Sequence, residues 1–168
     1  SAEHLILMLV ETVSRGGNLL VDVGQTHDGI IPVIMEERLP DIGRWLSVNG
    51  EAIYGTRPFS TYGEGPKRLT SSGHFVEMNG DYTSENIRFT RKGNSVFAIQ
   101  LGWAGAHKTI VIKSLGKNRG DQQHIKRVTV LDSPEEIDWV VKDDALYVTT
   151  PSVAPNDIAI CYKIELGK

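Results

Sequence analysis

Cysteine is nearly absent. Cys161 stands alone among 168 residues, so neither an intrachain disulfide nor a cysteine-based zinc cluster can hold this chain together. Long apolar runs are missing as well: no stretch approaches the roughly 18 apolar residues that span a bilayer. The opening Ser1-Ala2-Glu3-His4 lacks the basic, apolar and small-residue order of a secretory signal. No membrane partner is expected, and an N-terminus made by processing, proteolysis or design is expected from a first residue that is not Met. Charge of one sign is scarce, with a formal net charge of -3. Residues 1 to 57 hold eight acids against four bases, and the remainder holds thirteen against fourteen. Without a basic patch to neutralise phosphates, nucleic acid is not an expected partner. The one local basic excess sets Lys108, Lys113, Lys117, Arg119, Lys126 and Arg127 against Asp121, which reads as a solvated surface. No Asn-x-Ser/Thr acceptor occurs, so compartment stays open. Nor is there a Gly-x-Ser-x-Gly elbow to anchor Ser/His/Asp hydrolysis. The five histidines are scattered, so neither a metal nor a cofactor is expected.

What is present divides into two textures. Leu5, Met8, Leu9, Thr12 and Val13 recur at helical spacing and Gly16-Gly17 closes them, which predicts a helix over residues 1–14. Residues 18–23, Asn-Leu-Leu-Val-Asp-Val, form a short apolar run of the kind that a strand buried on both faces of a parallel sheet requires. A turn-forming loop, residues 24–29, follows. Met35, Leu39, Ile42 and Leu46 then mark a second helix over residues 32–48, with Pro32 in its first turn and Asn49-Gly50 at its stop. Pro40 removes a backbone hydrogen bond inside that helix, so a kink or break is expected there. A parallel strand needs parallel neighbours, and this half of the chain supplies one strand only. Either other chains complete the sheet or the segment belongs to something longer.

Residues 55–73, rich in glycine and proline, read as a linker or strap. Beyond them, alternating segments at regular spacing predict strands over residues 74–78, 86–91, 95–101, 108–114, 124–131, 137–141, 145–150 and 158–166. Eight short strands without an intervening helix indicate an antiparallel sandwich or barrel. The fold class is therefore α+β, with a helix-strand-helix portion at residues 1–57 and a linker plus β-sandwich at residues 58–168.

The run from Glu11 through Ser14-Arg15-Gly16-Gly17-Asn18 to Gly24, then Asp28-Gly29-Ile30-Ile31-Pro32, then Glu37 to Pro58 with Trp45 and Asn49-Gly50-Glu51-Ala52-Ile53-Tyr54, resembles the α-L-fucosidases of glycoside hydrolase family 29. A second block, Ile87-Arg88-Phe89-Thr90 through Gly93 to Val96-Phe97-Ala98-Ile99, is similar to the opening of that family's C-terminal β-sandwich. The resemblance covers essentially the whole chain, more loosely after Gly102. It implies that residues 18–23 are the last strand, and residues 32–48 the last helix, of a (β/α)8-like catalytic barrel. It also implies retaining hydrolysis of α-L-fucosides, one carboxylate attacking the anomeric carbon and a second acting as acid and then base. The family's Asp nucleophile, Glu acid/base and fucose-holding histidines lie on earlier strands, so no catalytic residue is assigned in this chain. Lysosomal, secreted or periplasmic locations fit the family.

Where the family reads Asn-Val-Gly-Pro, this chain has Asp22-Val23-Gly24-Gln25. The C-terminal ends of barrel strands face the active-site mouth, so Asp22 is a substrate-proximal candidate that would raise a neighbouring carboxyl's pKa by like-charge repulsion. The competing reading is a strand-end Asp bonded to loop amides. His27, in the following loop, is the second candidate, set against a plain surface turn shaped by Asp28-Gly29. Trp103 and Trp139 are possible sugar-stacking residues on the sandwich, set against core or interdomain packing. Trp45 reads as packing. Glu36-Glu37 suit a first helical turn rather than a catalytic pair, and Glu51 is expected to bind backbone or Arg57. Gly63-Glu64-Gly65-Pro66-Lys67-Arg68 lacks the context of a phosphate loop. The expected role is completion or stabilisation of a barrel, with α-L-fucosylated glycans as substrate and a remaining N-terminal barrel segment or self-association as partner. The alternatives are a non-catalytic carbohydrate-binding or assembly module, and a truncated product whose apolar surface drives oligomerisation.

Overall fold

Ser1 opens the first helix by accepting a hydrogen bond from the His4 amide at 3.2 Å, the usual way of satisfying an orphan N–H at a helix start. In the computed structural model, which describes residues 1–66, 82–118 and 124–167, this helix, α1, runs Ala2–Ser14. Its end is a Schellman motif. Gly16 takes φ +82°, the Gly16 amide donates to Val13 O and the Gly17 amide donates to Thr12 O, both at 2.9 Å. The buried face is Ile6, Val10, Glu11 and Ser14, offset from the expected stripe of Leu5, Met8, Leu9, Thr12 and Val13. The helix is apolar almost all the way round its first turns, so its periodicity could not say which side meets the core.

The second helix, α2, spans Val33–Asn49 with Pro32 at its N-cap. Of the kink or break expected at Pro40, the break does not occur, and the helix runs through that residue; the proline forfeits one backbone bond while the residues on either side keep helical geometry. A 3-10 turn, Gly50–Ala52, continues from it. A Cβ on Gly50 would lie 2.9 Å from the Tyr54 ring, which is why the Asn-Gly stop needs glycine.

Residues 18–23 do not form the expected buried strand. They carry no sheet pairing, Leu20 is 92% exposed and Val21 41%. The physical reason is the lack of partners: among the described residues no parallel strand lies alongside to take up the backbone N–H and C=O groups.

Eight strands follow among the described residues: β1 Arg57–Glu64, β2 Ile87–Lys92, β3 Ser95–Gln100, β4 Thr109–Ile112, β5 Ile125–Val130, β6 Trp139–Val141, β7 Leu146–Thr149 and β8 Ile160–Leu166. Seven answer to expected segments. The strand expected over residues 74–78 lies outside the described residues, and the supposed strap instead begins with β1, whose one glycine, Gly63, serves close approach rather than flexibility. A Cβ on Gly63 would sit 2.6 Å from both Arg88 Cδ and Ile87 O.

Among the described residues all pairings are antiparallel, in a five-stranded sheet ordered β1-β2-β3-β8-β5 and a three-stranded sheet ordered β4-β7-β6. Between the sheets lies one core, including Phe89, Val96, Ala98, Ile112, Val148, Tyr162 and Ile164. A second core covers the other face of the larger sheet, where Phe97, Ile99 and Cys161 meet Ile6, Val10, Trp45 and Ile53 from the helical segment. β2 and β3 are therefore buried on both faces, which explains their loss of in-out alternation. Cys161 is fully buried and burial pushes its thiol pKa up, which makes it a packing residue rather than a reactive one.

Candidate functional site

The helical end carries the two substrate-proximal candidates. Asp22 lies exposed in the unpaired segment. His27 sits at the tip of a tight turn, with its side chain 98% exposed and Nδ1 3.9 Å from Asp28 Oδ1. The turn is closed by the Thr26 amide donating to Ile30 O at 2.8 Å, the Gly29 amide donating to Thr26 O at 2.9 Å, and the Thr26 hydroxyl at 2.5 Å from Asp28 Oδ1. Gly29 takes φ +82° to make it possible. Around these residues lies a run of exposed apolar side chains: Leu20, Val21, Ile30, Ile31, Val33 and Ile34.

The opposite side of the same segment is anchored by a charge cluster that sequence reasoning missed. Glu11, 2% exposed, meets Arg88, 1% exposed, at 2.5 Å through Oε1 and Nη2, and Arg88 Nε donates to the same oxygen at 2.6 Å. Arg15 reaches Glu11 Oε2 at 3.3 Å, and the Tyr82 hydroxyl donates to Oε1 at 3.1 Å. Burial, followed by the nearby Glu11 charge, pushes the Tyr82 pKa up to about 12. Arg15 also stacks over the Tyr62 ring, 4.3 Å from its centroid. The i, i+4 spacing of Glu11 and Arg15 was legible in the chain, but Arg88 lies 77 residues from Glu11. A buried pair of this kind, with its lone pairs and N–H groups taken up, holds α1 in one position on the sheet.

Other expected contacts resolve simply. Glu51 pairs with Lys163 at 2.6 Å rather than with backbone or Arg57, because the 3-10 turn aims it at β8. Trp45 is 5% exposed and its Nε1 donates to Ala159 O at 3.3 Å, a packing role. Trp139 packs partly against the core between the sheets and edges a shallow hollow with Asp138, Lys142 and Tyr147, whereas Trp103 is 36% exposed. Among the described residues no group of three His, Cys, Asp or Glu could hold a metal ion, and no helix is long and apolar enough to cross a membrane.

Residues 1–51 match the family described as alpha-L-fucosidase, and residues 79–165 match the alpha-L-fucosidase C-terminal domain. The chain belongs to the α-L-fucosidase family. An alpha-L-fucosidase of Branchiostoma floridae is 34% identical over 157 residues, covering 93% of this chain and 30% of that protein. The plasma alpha-L-fucosidase of Homo sapiens is 55% identical over 103 residues, covering 60% of this chain and 18% of its own length. The crystal structure of Thermotoga maritima alpha-fucosidase superposes with a TM-score of 0.73 at 31% identity, covering 98% of this chain and 34% of that one. The chain thus spans about a third of the relatives it matches from end to end. The fucosidase match across residues 1–51 ends six residues before β1 begins.

Proposed function

We propose that this chain is the C-terminal part of a retaining α-L-fucosidase that removes terminal α-L-fucose from glycoconjugates, in which residues 1–57 supply the last helix, strand and helix of a (β/α)8-like barrel and residues 58–168 the accessory sandwich. The observation that carries this reading is the contrast between the two sides of the helical segment. One side is locked to the sheet by Glu11, Arg88, Ile6 and Val10; the other presents Leu20, Val21, Ile30, Ile31, Val33 and Ile34 to water. Several exposed apolar side chains on and just after an unpaired backbone stretch are what a last barrel strand and the loop behind it would show without the strands beside them. A whole barrel takes about 250 residues, far more than this segment holds.

In this reading residues 18–23 pair with parallel strands of an N-terminal barrel segment or of another copy. Asp22 and His27 then lie at the mouth of the site, and the attacking and proton-transferring carboxylates come from the partner segment. Asp22 adds negative charge there and raises the pKa of a nearby carboxyl. The test is release of 4-nitrophenol from 4-nitrophenyl α-L-fucoside, by the chain alone and after mixing with the N-terminal barrel segment. The chain alone is expected to be inactive and the mixture active. Turnover by the chain alone at the rate of an intact family enzyme would overturn the reading. A second reading, glycan binding without catalysis, is favoured by the exposure of Trp103; it requires saccharide-induced shifts of the Trp103 indole signal.

A further inference from the structure

The edge of a sheet leaves a row of backbone N–H and C=O groups unpaired, and folded proteins guard such rows with charge, proline or a bulge. Three of the four sheet edges among the described residues are guarded in this way. β1 carries Pro58 and a break in register between Pro58 and Gly63. β5 carries Lys126 and Arg127 and a break in register between Ile125 and Arg127. β4 lies between exposed Lys108 and Lys113, two charges of one sign. The fourth edge, β6, is Trp139-Val140-Val141, with no charge or proline of its own and an unbroken register. It ends the smaller sheet, with no strand beyond it among the described residues.

The direction of its free groups follows from its pairing with β7. The Thr149 amide donates to Asp138 O and the Lys142 amide donates to Ala145 O, both at 2.8 Å, and Val140 faces Tyr147 between them. Antiparallel ladders alternate, so Asp138, Val140 and Lys142 direct their backbone groups to β7, while Trp139 and Val141 direct theirs outward. On the outer face of the sheet, Val111, Tyr147 and Val140 form one row across the three strands, with Val140 49% exposed. Asp138 and Lys142, both exposed, flank Val140 on that face. Lys142 Nζ lies 4.5 Å from the centre of the Tyr147 ring, and Asp138 has no ion-pair partner among the described residues.

We infer that β6 is a docking edge for a second copy of this chain, the two β6 strands pairing antiparallel about a two-fold axis at Val140 and joining two small sheets into one of six strands. Charge selects this occupant. The two-fold sets Asp138 opposite the partner's Lys142, and Lys142 opposite the partner's Asp138, so both flanking pairs attract. Asp144, next along that face, lies past the end of the strand and is engaged by the Tyr147 hydroxyl at 2.7 Å. The hydrogen-bond phase agrees with the charges: Trp139 meets the partner's Val141 and Val141 the partner's Trp139, which are the residues whose backbone groups point outward. Val140 meets the partner's Val140 in the closer, non-hydrogen-bonded kind of pair, continuing the row from Val111 into the second copy. The same operation on β4, centred on Ile110, brings no acid opposite Lys108 or Lys113. A three-residue edge falls short of the roughly 1,200 Å² at which stable interfaces begin, so the dimer is weak, with a dissociation constant on the order of 0.1 mM. This contact lies on the sandwich and does not depend on what pairs with residues 18–23.

The test is sedimentation velocity of the full chain between about 10 μM and 1 mM, a range that brackets that constant. A concentration-dependent monomer–dimer equilibrium is expected. Val140→Lys places like charges on the axis at an exposed position and should leave only monomer. Asp138→Lys and Lys142→Asp each set like charges opposite one another and should each weaken dimerisation about tenfold. Mixed in equal amounts, those two variants should recover a dimer, because the charges of one then oppose those of the other; a merely structural defect in either would not be repaired by mixing. Leu20→Lys, in the helical segment, should leave the equilibrium unchanged. A chain that stays monomeric throughout the range, a dimer that survives Val140→Lys, a mixture that stays monomeric, or a dimer lost in Leu20→Lys would each overturn the assignment.

Discussion

Residues 18–23, Asn-Leu-Leu-Val-Asp-Val, and β3, Ser95–Gln100, look alike as sequence: short, nearly continuous apolar runs bounded by turn residues. In the structure they have opposite fates. Phe97, Ala98 and Ile99 are wholly buried, because β2 and β8 flank the strand, the smaller sheet covers one face and the helical segment covers the other. Leu20 is 92% exposed, because nothing described flanks or covers it. An apolar run states a demand for neighbours; whether the demand is met depends on what else the fold brings alongside.

The largest expected effects break this comparison directly. Phe97→Ala should cost about 3–5 kcal/mol in urea unfolding of the chain, while Leu20→Ala should fall within about 0.5 kcal/mol of the parent. A cost at Leu20 comparable to that at Phe97 would show that the exposed run is covered in the chain itself. If an N-terminal barrel segment binds, the Leu20 variant should instead weaken that complex, which sedimentation can measure. Arg88→Ala leaves Glu11 buried without its main cation and should cost about 3–5 kcal/mol, whereas Glu11→Met with Arg88→Met should recover most of it. Additive losses in the double variant would mean that the pair does not act as a unit.

A smaller loss is expected where backbone meets side chain. Gly63→Ala pushes a methyl into Arg88 and the Ile87 carbonyl and should lower stability by about 1–3 kcal/mol. A neutral outcome would remove the close-approach explanation of Gly63. The smallest effect sharpens the same region by pH. The folded pKa of Glu64 is raised above the ordinary 4.5, so the folded state holds its proton more tightly than the unfolded one. Its contribution to stability is full below the unfolded value and is lost as pH rises through the raised folded value. Stability of Glu64→Gln should therefore decline less than the parent's over that window, and parallel pH curves would contradict the shift.

Much of the fold was legible because local chemistry determined it. Ser1 and Gly16-Gly17 bracket α1 by capping, and alternation in Thr109–Ile112 and Leu146–Thr149 follows from one buried and one open sheet face. Less of the sites could be read. Asp22 and His27 stand out by their place after an apolar run, and in the structure both are exposed, with no described neighbour that assigns them a role. Trp139 and Trp103 carry the same chemistry, yet one packs against the core and the other reaches solvent. Arg88 was legible only as part of a family-like string and Glu64 only as part of a glycine-rich stretch, since an isolated arginine in a strand and a glutamate between glycines are ordinary surface residues until the chain is folded.

By itself, then, the amino-acid sequence determined the family, the two textures, the caps and most strands, because each depends on neighbours within a few residues or on a characteristic string. Tertiary structure alone decided which face of α1 is buried, that the helical segment shares a core with the five-stranded sheet, that Glu11 meets Arg88, and that Glu64 keeps one buried oxygen unpaired among the described residues. Those outcomes depend on groups brought together across tens of residues, and burial turns an ordinary charge into either an anchor or an unmet hydrogen-bonding demand.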